Sequence, residues 1–142
     1  MKAKIVTTII VLLLTTQAVA GQLQSRAETR HLSDKLVNLF LQEKFQVAAD
    51  SMKPYWPIPE VEIDGLVNQI NQQWPLVRQR FGRGVATEFI GEESIGKSFV
   101  RYYYLHKFEN HAIYWRINYY RPRSEWKINQ VVFLDSLDEL YR

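Results

Sequence analysis

The hydrophobic periodicity of this chain changes at Gly84, and the change limits the folds that the chain can adopt. Before Gly84, apolar residues recur every three or four positions, which is the spacing of one face of an α-helix. After Gly84, aromatic and β-branched residues alternate with polar ones, as in a half-buried strand. This order predicts an α+β fold in which N-terminal helices pack on one face of a curved antiparallel sheet of four or more strands.

The N-terminal half predicts two amphipathic helices. Ser25 and Glu28 fit a capping box at the start of the first helix, which extends to about residue 52 with a break near residue 44. The three prolines at positions 54, 57 and 59 end it, since proline lacks a backbone donor and fixes φ. Pro59 is placed to begin the second helix, whose apolar stripe continues to Phe81.

The C-terminal half predicts an antiparallel meander of four strands joined by tight turns. The predicted strands are 85–90, 97–108, 112–121 and 125–134. The segments between them, including Gly91–Gly96, are rich in turn formers. The acidic tail at 135–141 predicts a short capping helix.

Residues 1–20 have the pattern of an export signal. Lys2 and Lys4 precede an apolar run, and a small-residue site predicts cleavage between Ala20 and Gly21. An uncleaved membrane anchor is the alternative, but the apolar part is shorter than the roughly 20 residues that a spanning helix needs. We therefore predict one domain at 21–142, periplasmic or secreted, with a short polar leader at 21–27.

Composition excludes several classes of function. Without Lys2 and Lys4 the balance is 16 Lys and Arg against 15 Asp and Glu, so no general attraction to nucleic acid or anionic lipid is expected. The absence of cysteine excludes disulfides, thiol catalysis and lipid anchoring through a lipobox. His31, His106 and His111 lack the spacing of metal ligands, and no metal or cofactor is predicted.

Two neighbouring strands carry the candidate binding residues. On each strand, alternation places a set of polar and aromatic side chains on one face. The two sets are Tyr102, Tyr104 and His106, and Tyr114, Arg116, Asn118 and Tyr120. If the two faces coincide, they predict a site for a small apolar or carboxylate-bearing ligand. The alternative is that these residues cover a solvated or dimeric sheet face.

The opposite faces of the same strands are more apolar and predict the core. They hold Phe99, Tyr103 and Leu105 on one strand, and Ile113, Trp115, Ile117 and Tyr119 on the next.

Catalysis is a separate hypothesis that centres on His106. This histidine is the strand residue able to act as a base near neutral pH, with Tyr104 or Tyr102 as hydrogen-bond donor. Glu88 and Glu109 lie at strand edges, where they are poorly placed to orient the imidazole. The alternative is a hydrogen-bonded histidine with no chemical role.

Two aromatic residues in the proline-rich loop, Tyr55 and Trp56, are a candidate lid. Neighbouring prolines stiffen the loop, so the rings lose little entropy when they cover a ligand or contact a partner. The alternative is that both rings fill one end of the core.

The closing strand resembles that of the SnoaL-like, nuclear-transport-factor-2-like superfamily. The resemblance lies in Trp126-Lys127-Ile128-Asn129 and Val131-Val132-Phe133, followed by Asp135. It implies a cone-like fold with a pocket between a curved sheet and the helices, and a cystatin-like roll is the nearest alternative. Members of that superfamily include isomerases, dehydratases, polyketide cyclases and non-catalytic binding modules, so the resemblance carries no single function.

The sequence thus favours an exported module that binds a small ligand or a protein partner, including a second copy of the chain. An isomerase- or dehydratase-type enzyme that uses His106 with a tyrosine donor is the alternative from another class. A dimeric accessory protein is the third hypothesis. No contact with nucleic acid, and none with the membrane after signal cleavage, is predicted.

Overall fold

The computed structural model describes residues 21–141, so the predicted signal peptide and Ala20 lie outside the described residues. The main elements follow in the order α1 (Arg26–Leu41), α2 (Phe45–Met52), α3 (Glu60–Phe81), β1 (Gly84–Ile95), β2 (Phe99–Phe108), β3 (Ala112–Tyr120) and β4 (Lys127–Leu134). Short 3₁₀ turns follow α2 at Lys53–Tyr55 and β4 at Asp138–Leu140. This order confirms the predicted α+β class.

The helix ends follow from local backbone chemistry. The predicted capping box is present: the Glu28 N–H donates to Ser25 Oγ at 3.1 Å, and the Ser25 N–H donates to the Glu28 carboxylate at 3.0 Å. Glu43 adopts a φ of 57°, which separates α1 from α2. Gly82, with a φ of 86°, ends α3. The N-terminal half therefore holds three helices, with the break where the sequence predicts it.

The sheet is antiparallel, open and ordered β1-β2-β3-β4. Strand β1 is longer than predicted, because Gly91–Ile95 continue the ladder against β2 instead of forming a turn. The turn is confined to residues 96–98, where Gly96 has a φ of 53°. The residues Gly91 to Ser94 favour a turn locally, but pairing with the aromatic strand β2 overrides that preference.

Two β-bulges interrupt the β1–β2 ladder. The pairing skips Val85 between Gly84 and Ala86, and it skips Ile90 between Phe89 and Gly91. Each extra residue reverses the alternation of side chains that follow it. A bulge at Ile90 thus explains why the segment after it lacks the pattern of a regular strand.

The predicted polar leader is partly built into the fold. The Trp126 N–H donates to the Leu23 carbonyl at 2.8 Å, which joins the N-terminal segment to the residue before β4. Leu23 is 5% exposed and belongs to the core. Leu23 is therefore the apolar exception in the predicted polar leader, and this pairing places its side chain in the core.

All three helices lie on one side of the sheet, which we call the inner face; the opposite side is the outer face. Helix α1 contacts β1, β2 and β3, while α2 contacts α1 and α3. Strands β3 and β4 on the inner face contribute Trp115, Ile117, Tyr119 and Ile128 to the core. Within residues 21–141, no helix combines the length and the apolarity needed to cross a bilayer.

Candidate functional site

The cross-strand register separates the predicted binding residues into two groups. Tyr102 pairs with Ile117 and His106 pairs with Ile113, so these β2 residues share the inner face with the apolar residues of β3. The outer face holds the other set, namely Tyr114, Arg116, Asn118 and Tyr120, together with Phe99, Tyr103 and Leu105. The expectation that the two sets converge is wrong, and so is the assignment of Phe99, Tyr103 and Leu105 to the helix-packed core face.

A one-residue difference in hairpin register accounts for this separation. A symmetric three-residue turn at 109–111 would pair His106 with Tyr114 and bring the two sets together. The observed pairing instead begins with Lys107 opposite Ala112. Because side chains alternate with a period of two, a shift of one residue moves a whole strand's set to the other face.

On the inner face, tyrosine hydroxyls bind helix α1. The Tyr102 hydroxyl is hydrogen-bonded to Thr29 Oγ1 at 2.8 Å, and it also donates to the Arg26 carbonyl at 3.2 Å. The Tyr119 hydroxyl is hydrogen-bonded to Ser33 Oγ at 2.8 Å. These bonds join partners 73 and 86 residues apart and satisfy polar groups that folding removes from water. We assign Tyr102 and Tyr119 to the packing of α1 on the sheet.

Tyr104 belongs to the same contact. Its hydroxyl donates to Asp34 Oδ1 at 2.6 Å, and Arg30 pairs with the same oxygen at 2.9 Å. Burial, together with the Asp34 carboxylate, raises the pKa of Tyr104 well above its usual range. The hydroxyl therefore stays protonated at neutral pH, and its proton is donated to Asp34 of helix α1.

Thr29 and Ser33 are structural residues that sequence reasoning missed. Both are fully buried on α1 and lie one helical turn apart, on the side that faces the sheet. The available signal was the position of two hydroxyl residues inside the apolar stripe of α1, since buried hydroxyls require partners.

His106 lies in an apolar and aromatic environment. It is 1% exposed, its ring stacks on Phe108 at 4.4 Å between centroids, and its Nδ1 accepts the Trp115 Nε1–H at 3.1 Å. Burial lowers the pKa of His106 to about 4, so the ring is neutral at neutral pH. The two carboxylates at strand edges are paired with residues other than His106. Glu88 binds Lys107 at 3.3 Å and Glu109 binds Arg83 at 3.4 Å.

On the outer face, two predicted binding residues hold a carboxylate of the same chain. The Tyr114 hydroxyl donates to Glu139 Oε2 at 2.8 Å, and Arg116 Nη1 donates to Glu139 Oε1 at 2.9 Å. The Tyr103 hydroxyl lies 3.3 Å from the same Glu139 Oε1. The tyrosine and arginine donors lower the pKa of the Glu139 carboxyl below its usual value.

The other predicted residues of the outer face have neighbours on adjacent strands. Asn118 Nδ2 donates to Gln130 Oε1 at 3.2 Å, and Tyr120 stacks on Phe99 at 4.6 Å between centroids. The outer face thus brings Tyr114 and Arg116 together on Glu139.

A cavity of about 250 Å³ lies between helices α2 and α3 and strands β3 and β4. Its wall is formed by Phe40, Phe45, Met52, Trp56, Ile63, Leu66, Val67, Gln69, Ile70, Gln73, Trp115, Val131, Val132 and Phe133. Trp56 of the candidate lid is therefore part of this wall, where it is 8% exposed. Tyr55 lies outside the cavity and borders separate surface grooves.

The cavity is uncharged and largely apolar. Twelve of the fourteen lining residues are apolar, and the other two, Gln69 and Gln73, are exposed residues one turn apart on α3. Two of the cavity's lining residues, Phe40 and Trp115, stack at 4.0 Å between ring centroids. Such a surface can bury an apolar molecule and offer amide hydrogen bonds to one polar end of it.

The comparisons add no relative from which a function could be carried over. No protein-family model matches the sequence, and neither a curated protein nor a solved structure matches the chain. Within residues 21–141, no three histidines or carboxylates lie together in a group able to hold a metal ion. The function is therefore argued from the geometry of the chain itself.

Proposed function

We propose that this chain is an exported binding protein whose cavity between α2–α3 and β3–β4 takes a small, neutral, mainly apolar molecule. The observation that carries the proposal is the uncharged, largely apolar wall of this cavity. Its volume of about 250 Å³ is slightly below the roughly 300–1,000 Å³ of sites for drug-sized ligands, so we expect a ligand of one or two rings or a short chain.

The side chains of the wall define the ligand's chemistry. Rings of Trp56, Trp115 and Phe133 favour a planar or aliphatic body, and removal of apolar surface from water supplies the free energy of binding. A charged group would lose its hydration in such a cavity without an ionic partner. Gln69 and Gln73 at the mouth provide amides for a single hydroxyl, carbonyl or amide of the ligand.

Binding is better supported than catalysis. His106 is not among the lining residues, and its Nδ1 is already bonded to Trp115. A pKa of about 4 makes the imidazole a weak base at neutral pH, whereas general bases work best with a pKa near the operating pH. The proposed donor Tyr104 is bonded to Asp34. A superfamily role as a non-catalytic binding module of the cone-like type is consistent with this proposal.

Export is the second part of the proposal. It rests on the signal pattern of residues 1–20 and on a cysteine-free sequence that needs no redox chemistry to fold. We expect the chain to bind its ligand in the periplasm or outside the cell.

The test uses 1-naphthol, a neutral fused ring with one hydroxyl, titrated by calorimetry and by NMR. The unmodified chain should bind it saturably with one site. Ile70→Trp places a large ring in the cavity wall and should weaken binding at least tenfold, by occupying the space of the ligand. Leu76→Trp is the matched control, because Leu76 lies on the same helix, is 57% exposed and does not line the cavity.

Non-saturable binding of 1-naphthol to the unmodified chain would contradict the proposal. Equal affinity in Ile70→Trp and Leu76→Trp would place the binding site elsewhere. Thermal melting of both variants verifies that each is folded before its affinity is compared.

A further inference from the structure

The outer face of the sheet holds a polar cluster that the cavity does not involve. Tyr103 and Tyr114 are 3% and 1% exposed, although all three helices lie on the other face. Together with Arg116 they surround the carboxylate of Glu139 in the C-terminal segment. We call these three residues the outer-face carboxylate site.

We propose that this site binds an acidic peptide segment of a partner protein, and that Glu139 occupies it in the absence of that partner. The partner's carboxylate would take the place of Glu139 on Tyr114 and Arg116. The site lies on the opposite face from the cavity, so this inference stands independently of the proposed ligand.

Two donors of this site suit a carboxylate specifically. Tyr114 and Arg116 contact different oxygens of Glu139, at 2.8 and 2.9 Å, so both oxygens receive a direct hydrogen bond. Hydrogen bonds to a charged acceptor are about twice as strong as those between neutral groups. The hydroxyl of Tyr103 donates to Glu93 Oε2 at 2.9 Å and lies 3.3 Å from Glu139 Oε1, so it borders the site, and Glu93 itself pairs with Arg101 at 4.0 Å.

The C-terminal segment is a weak competitor for its own site. It contains a 3₁₀ turn of three residues, and Asp138 and Glu139 on it are exposed. Tyr141 at its end is 82% exposed. Leu140 is half-buried and borders a groove that Ile90, Gly91 and Tyr103 also line. An acidic residue followed by an apolar one is therefore the peptide pattern that fits this face.

Glu139 also leaves polar atoms of this face unused. Arg116 Nε and Asn118 Oδ1 are buried and have no hydrogen-bond partner among the described residues. They lie two positions apart on β3, on the same face as the carboxylate site. One is a donor and the other an acceptor, as a peptide group requires. Both atoms are out of contact with solvent while Glu139 is bound, so a peptide reaches them only when it displaces the C-terminal segment.

A fluorescein-labelled peptide with the sequence of residues 134–142 is the probe, and fluorescence anisotropy reports its binding to the full chain. In Glu139→Ala the internal carboxylate is gone, so the peptide should bind about tenfold more tightly than to the unmodified chain, the gain expected if Glu139 fills the site about nine-tenths of the time. Arg116→Gln added to Glu139→Ala should reverse this gain. Arg123→Gln, the same change at an exposed arginine away from the site, should not.

Two results would overturn the inference. One is equal peptide affinity in the unmodified chain and in Glu139→Ala. The other is binding that survives unchanged when the peptide's glutamate is replaced by glutamine. Tyr114→Phe in the Glu139→Ala background is a milder second variant, since it removes one hydroxyl and keeps the ring. It should weaken binding, and a melting curve of each variant verifies that the loss of affinity is not a loss of folding.

Discussion

Helix α1 and helix α3 contact the same sheet face in different ways. In its N-terminal half, helix α1 presents short hydroxyl side chains to the sheet, where Thr29 and Ser33 bond directly to Tyr102 and Tyr119. Helix α3 presents large rings, and Trp74 reaches the sheet by contacts such as the 6.4 Å stack on Trp115. Small side chains let a helix approach closely, whereas large ones hold it away and leave space between their tips. The cavity lies on the α3 side for this reason.

The largest expected effect comes from larger side chains placed where α1 contacts the sheet and where α3 borders the cavity. Ser33→Leu inserts carbon atoms where α1 touches the sheet and leaves the buried Tyr119 hydroxyl without its partner, so we expect a loss of about 3–5 kcal/mol of unfolding free energy. Val67→Leu inserts one methylene into the cavity wall and should change that free energy by less than about 1 kcal/mol. Urea denaturation measures both. Equal losses of unfolding free energy in the two variants would show that α3 packs on the sheet as tightly as α1 does.

The pH dependence of stability tests the aromatic packing on the α3 side, where His106 lies against Trp74. Its pKa is about 4 in the folded chain against an ordinary value of 6.5, so the unfolded chain binds a proton that the folded chain does not between these values. The unfolding free energy should therefore decrease as the pH falls from 6.5 to 4, and this histidine should contribute about 3 kcal/mol of the decrease.

The variant His106→Gln should lose that part of the pH dependence, and His31→Gln, at an exposed histidine, should retain it. Denaturation at a series of pH values compares the two variants. The same slope in both would mean that His106 titrates as an ordinary histidine and that water reaches the rings around it.

The smallest expected effect concerns a single hydroxyl on the α1 side. Tyr119→Phe should cost about 1 kcal/mol, because Ser33 keeps its bond to the Thr29 carbonyl at 2.9 Å when the tyrosine hydroxyl is lost. In a double-mutant cycle, Ser33→Ala combined with Tyr119→Phe should cost less than the two single changes added together. Strict additivity would indicate that the hydroxyl pair contributes nothing to the packing of α1.

Much of the fold is accessible from the sequence because it depends on local patterns. The capping box at Ser25, the break near residue 44 and the change of periodicity at Gly84 each fix an element boundary through nearby residues. The error in the predicted turn at Gly91–Gly96 has a non-local cause, since pairing with β2 determines that Gly91–Ile95 form a strand.

The candidate site was less accessible, because it depends on register and on long-range partners. Alternation assigned Tyr102 and Tyr114 correctly to faces of their own strands, but no local signal fixed how β2 and β3 align. The contact of Arg116 with Glu139 joins residues 23 positions apart and requires the C-terminal segment to fold back on the sheet. The cavity, likewise, is a gap between α3 and the sheet, whose width the apolar stripe of α3 does not specify.

The two bulges of β1 also affect how copies of this chain meet in a concentrated solution. Strand β1 is an edge of the open sheet, and such an edge can template the addition of a foreign strand. Val85 and Ile90, the two bulged residues, are 61% and 39% exposed apolar side chains that would otherwise favour this addition. Because each bulge disturbs the regular spacing of backbone donors and acceptors, an incoming strand finds only short matching stretches, and the edge resists aggregation despite its apolar residues.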